Sequence, residues 1–82
     1  MNDLTAFVFV STDARQRESK TARLIAEIPE VREAHRLAGE DCYMLKVRVA
    51  DTEALARLIS EKLGAIKSVC SARASVVLKT VK

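Results

Sequence analysis

The chain predicts an α+β sandwich of order β-α-β-β-α-β: a four-stranded antiparallel sheet with two helices on one face. Three observations predict it. Four segments alternate apolar and polar residues with the period of a strand, and two carry apolar stripes at helical spacing. The one proline and both glycines, Pro29, Gly39 and Gly64, fall between those segments. A faint repeat at 38 positions matches Ile25 to Leu63, Ile28 to Ile66 and Val31 to Val69, so each half ends in a helix stripe, an Ile-x-x-Val step and a strand.

Leu4 to Ser11 reads as the first strand. Leu4, Ala6, Val8 and Val10 share one face and Phe7 and Phe9 the other, so both faces are apolar and the strand belongs in the middle of the sheet, with both sides covered. A helix follows from about Gln16 to Ile28, with Thr21, Leu24, Ile25 and Ile28 on one stripe, stopped by Pro29. Val31 to Ala38 carries Arg32, Glu33, His35 and Arg36, the charge expected of an edge strand. Gly39-Glu40-Asp41 is a hairpin turn, and Cys42 to Ala50 returns with Tyr43, Leu45, Val47 and Val49 facing the core. Asp51 is placed to cap the second helix, whose stripe is Leu55, Leu58, Ile59 and Leu63, with Gly64 as a left-handed stop. The last strand, about Val69 to Val81, sets Cys70, Ala72, Ala74, Val76 and Leu78 against Ser71, Arg73, Ser75 and Val77. Two right-handed β-α-β halves then give the ferredoxin-like arrangement, first and third strands central.

Length and composition narrow the function. Eighty-two residues form one domain, residues 1–82, and a chain this short hides only about 60–65% of its unfolded surface, so its own core is thin. With no tryptophan, one tyrosine and two phenylalanines, that core is aliphatic. Charged residues are 30% of the chain but nearly balanced, at +3, which excludes a disordered acidic tail and argues against direct DNA binding. No run reaches the roughly 18 apolar residues of a membrane span, and the start lacks a signal-peptide pattern, so a cytoplasmic protein without membrane contact is expected. Helices on one face leave Phe7 and Phe9 on an uncovered one, and a second copy stacking on it is the simplest cover.

Catalytic chemistry finds few residues. His35 is the one histidine and has no evident nucleophile or orienting partner. The carboxylates of Glu40 and Asp41 oppose a thiolate at Cys42, and Cys42 and Cys70 make no metal motif; both read as reduced residues in half-buried strands. No glycine-rich phosphate loop occurs. Lys20, Arg23, Arg15 and Arg17 interleave with Glu18 and Glu27 as an ordinary solvated helix face. No catalytic residue, metal or cofactor is therefore expected. The Gly39-Glu40-Asp41-Cys42 turn is open to two readings, a plain hairpin or a ligand turn in which carboxylates hold an ammonium group and backbone amides meet a carboxylate.

Ala6 to Val10, Ile28-Pro29-Glu30-Val31, Ala38 to Val49 and the closing Val69 to Lys82 together resemble the C-terminal RAM (regulation of amino acid metabolism) module of the Lrp/AsnC regulators. The order and spacing of these pieces carry the likeness, across nearly the whole chain. The resemblance implies a stand-alone RAM module without the helix-turn-helix, sheet-stacked homodimers assembling into a ring, and an amino-acid effector bound where dimers meet, near the turn after the second strand. It places the ligand at Gly39, Glu40, Asp41 and Cys42 with Ala72, Ala74 and Ser75. Gly39 matches the family's turn glycine. Cys42 stands where the family often has an acidic residue, with Asp41 before it, and Ala72 and Ala74 stand where it often has threonines. The expected function is a non-enzymatic amino-acid sensor that modulates full-length Lrp/AsnC-type regulators. The alternatives are a ligand-independent interaction module and a small dimeric α+β barrel enzyme, which needs an enclosed polar cavity with a His, Tyr or Asp acting on substrate and which a deep cavity lined by His35 and Tyr43 would favour.

Overall fold

The computed structural model describes residues 3–13, 18–38 and 42–82, with only the backbone of Glu18 and Ser19. Strands β1 (Leu4–Thr12), β2 (Val31–Leu37), β3 (Cys42–Val49) and β4 (Val69–Val76) form one antiparallel sheet in the order β2-β3-β1-β4. The expected order is therefore the observed one, with the two most apolar strands central. Alternation decides the faces. Ala6, Val8 and Val10 of β1 and Tyr43, Leu45, Val47 and Val49 of β3 are buried on one side. Helix α1 (Glu18–Ala26) and helix α2 (Thr52–Arg57) belong to the layer over that side, adding Ile25, Leu55, Leu58 and Leu63 to the core. On the other side Phe7, Phe9 and Met44 are only half-buried, so in the single chain β1 is covered on one face and not on both.

Helix α1 ends at Ala26, where Glu27 and Ile28 donate to Arg23 and Ile25 and lead into the turn at Pro29. Its expected start at Gln16 lies outside the described residues, as do Arg15 and Arg17 of its basic face; Lys20 and Arg23 are exposed. The Asp51 cap is present: its Oδ1 accepts from the Ala54 N–H at 2.8 Å.

Three details differ from expectation. First, α2 runs on as a π-helix over Leu58–Leu63, closed by a bond from the Gly64 N–H to the Ile59 carbonyl five residues back. At α-helical spacing Leu58 and Leu63 would point about 140° apart; the wider turn lets both reach the core, where Leu58 is 2% and Leu63 0% exposed. Gly64 is right-handed, φ −63°, and not a left-handed stop.

Second, β4 ends at Val76. Its partner β1 begins at Leu4, so after Val76 pairs with Ala6 and the Val77 N–H donates to the Thr5 carbonyl at 2.8 Å, little ladder is left. Leu78 and Val81 are consequently 97% and 88% exposed. Third, the β1–β4 register shifts between Ser11, opposite Ser71, and Thr12, opposite Val69. Cys70 is the extra residue of this bulge and is exposed, so it does not share the half-buried face of Ala72 and Ala74.

Candidate functional site

At the hairpin end of the sheet, Leu37, Cys42, Ser11 and Ser71 are successive neighbours across β2, β3, β1 and β4. Two positions further in, on the same face, come His35, Met44, Phe9 and Arg73. Phe9, Ser11, Cys42, Ser71, Ala72 and Arg73 line a hollow of about 380 Å³ there. The Arg73 guanidinium lies 5.2 Å from the centre of the Phe9 ring, a cation–π contact that braces the side chain over the sheet. The hollow thus offers two hydroxyls, a thiol and a guanidinium against an aromatic wall, groups able to orient a small polar ligand and to meet a carboxylate at Arg73.

Of the residues expected at a ligand site, the structure brings Cys42 and Ala72 together in this hollow. Ala74 pairs with Val8 and is half-buried under the helices. Ser75 is opposite Phe7 on the uncovered face, exposed and outside the hollow. Gly39, Glu40 and Asp41 lie outside the described residues. Ser11, Ser71 and Arg73 are the polar groups that the sequence reading did not single out for the site. The alternation of Ser11 with Phe7 and Phe9 is the signal that could have placed it on this face.

His35 has a partner after all: its Nε2 lies 3.1 Å from Glu33 Oε1, both side chains being half exposed. The His35 N–H, with the Lys46 ammonium 3.7 Å away, holds the Glu33 carboxyl below the usual carboxylate range. His35 pairs with Met44, whereas Tyr43 is buried on the opposite face of the sheet. The two do not line one cavity, so the feature that would have favoured the barrel-enzyme alternative is not found. Among the described residues no three His, Cys, Asp or Glu side chains converge as metal ligands, and no helix is long and apolar enough to cross a membrane.

A ferredoxin-like sheet with helices on one face and a polar hollow beside its β2–β3 hairpin defines a small α+β domain of the ligand-binding type. The chain belongs to the Lrp/AsnC ligand binding domain family, whose model matches residues 5–82. It is 39% identical over 80 residues to an uncharacterised HTH-type transcriptional regulator of Pyrococcus furiosus, a match covering 95% of this chain and 53% of that protein. Among solved structures it resembles a transcriptional regulator of Neisseria meningitidis in complex with L-methionine, with a TM-score of 0.86 and 30% identity over 96% of this chain and 52% of the other. A feast or famine regulatory protein of Mycobacterium tuberculosis, also complexed with L-methionine, gives a TM-score of 0.81 and 31% identity over the same shares. The chain spans about half the length of the curated relatives it matches.

Proposed function

We propose that this chain is a non-enzymatic, amino-acid-responsive regulatory module that works as an oligomer. The observation that supports it best is that two relatives at 30% and 31% identity were solved with L-methionine. In this reading a second copy covers the face carrying Phe7, Phe9 and Met44, and dimers associate into a ring. The effector sits at the dimer–dimer seam, held by the turn Gly39-Glu40-Asp41-Cys42 and by the β4 segment containing Ala72, Ala74 and Ser75. Arg73, over Phe9, is the cation of the neighbouring hollow that pairs with the effector's carboxylate, and Asp41 holds its ammonium. A ligand binding one assembly more tightly than another shifts the population toward it. Co-assembly with full-length relatives would carry that shift to their DNA-binding arms.

The test is mass by light scattering and thermal stability of the pure protein, with L-methionine first and then each standard amino acid. A rise in midpoint or a change of mass with one or a few of them is expected. An oligomer indifferent to all of them would overturn the sensor reading and leave an interaction module. Asp41→Ala should weaken effector binding at least tenfold; unchanged affinity would remove Asp41 from the site.

A further inference from the structure

We infer that the helix layer carries a second ligand site, which takes an aliphatic carboxylate lacking an α-ammonium group. A hollow of about 410 Å³ opens between α1 and the loop after the π-helix. Its polar end holds Lys20, Lys67, Thr21 and Ser68. The Thr21 and Ser68 side chains are buried, at 4% and 5% exposure, and their hydroxyl oxygens lie 2.5 Å apart. Among the described residues no carboxylate lines this end and neither lysine has an ion-pair partner. Two lysines lining one recess make it positive, which favours an anion and repels a cation.

The walls next to this polar end are apolar. Leu24, Ala65 and Ile66 also line a second hollow of about 360 Å³, which continues to Ile28 and Pro29. Glu27 and Lys62 also line this second hollow; Lys62 is engaged by Glu30 at 2.8 Å and does not add a second anion site, and the Glu27 carboxylate disfavours an anion there. A ligand that fits both parts has its carboxylate between Lys20 and Lys67 and a short alkyl chain along Leu24 and Ile66 toward Pro29. An α-ammonium beside that carboxylate would meet the two lysines with no counter-charge among the described residues lining this end, so the site selects the deaminated acid against the amino acid. It lies across the sheet from the Cys42 hollow and does not rest on the function proposed above.

Calorimetric titration of the full chain with hexanoate, 1-hexanol, hexylamine and norleucine tests this, since each differs from hexanoate in one group. Hexanoate should bind saturably, about fourfold tighter per methylene from butanoate upward. Hexanol and hexylamine should bind at least tenfold more weakly, and norleucine should not displace hexanoate. Lys20→Met with Lys67→Met should weaken hexanoate at least tenfold at an unchanged thermal midpoint, both side chains being exposed. Leu24→Gln should flatten the dependence on chain length. Absence of saturable hexanoate binding, equal binding of hexylamine, displacement by norleucine, or full affinity in the double lysine variant would each overturn the site.

Discussion

Glu30 stands in the turn between α1 and β2, and its carboxylate accepts two hydrogen bonds from Lys62 Nζ, at 2.8 and 2.9 Å. The Lys62 bonds, helped by Glu30's own backbone N–H, hold this carboxyl below its ordinary value of 4.5. A depressed carboxyl favours the ionised form in the folded state, so the stabilisation is present above pH 4.5 and is lost as pH falls through the folded value. Glu30→Gln should therefore cost about 0.5 kcal/mol at neutral pH, the scale of a part-exposed pair. The two unfolding curves should converge in acid; a gap that persists at pH 2 would mean another cause. The Thr21–Ser68 pair makes a sharper case. Thr21→Val leaves the Ser68 hydroxyl buried without this partner and should cost about 1–3 kcal/mol in urea denaturation. Adding Ser68→Ala should recover part of that, whereas additive losses would show that the two hydroxyls do not act as a pair. Asp51 was legible as a cap because a cap is a three-residue affair. The partner of Thr21 is 47 residues away, and nothing in the local pattern around Thr21 points to it.

At the scale of elements, Gly64 separates two explanations for a glycine after a helix. A left-handed stop takes asparagine as the second choice after glycine. Here the backbone is right-handed and a Cβ would come 2.3 Å from the Ser60 carbonyl oxygen, a contact with backbone that cannot swing away. Both Gly64→Ala and Gly64→Asn should thus destabilise the protein by about 1–3 kcal/mol, the cost of overpacking. Asparagine restoring wild-type stability would sink the close-approach account. The stripe Leu55, Leu58, Ile59 and Leu63 was enough to foresee a helix, since apolar spacing near four residues survives either winding. It was not enough to foresee the π-turn, because Leu58 and Leu63 are forced to one side only by the sheet beneath them. The end of β4 was hidden for a related reason: alternation runs on through Leu78, but a strand extends only as far as its neighbour, and β1 starts at Leu4.

For the whole molecule, strand order was readable because burial ranks the strands. β1 and β3 are apolar where β2 carries charge, which puts them in the middle. The candidate site was less readable, because the row Cys42, Ser11 and Ser71 joins three strands distant in sequence. The uncovered face was legible from Phe7 and Phe9 and carries the largest prediction. Phe7 lies between Lys46 and Ser75, on the side of the sheet away from the buried core of Val8, Leu45 and Leu58. Arginine at this position stays hydrated in a single chain, beside Lys46, and leaves that core untouched. In a stacked pair of sheets it brings an uncompensated charge next to Lys46 into the interface, where desolvation and like-charge repulsion add. Phe7→Arg should therefore lower the mass seen by light scattering toward that of one 9.0 kDa chain. The far-ultraviolet circular dichroism should stay that of the folded sheet, and the midpoint should become lower and independent of protein concentration. An unchanged mass would show that this face is not what holds the copies together, and a wild-type protein already monomeric at micromolar concentration would remove the stacked dimer altogether.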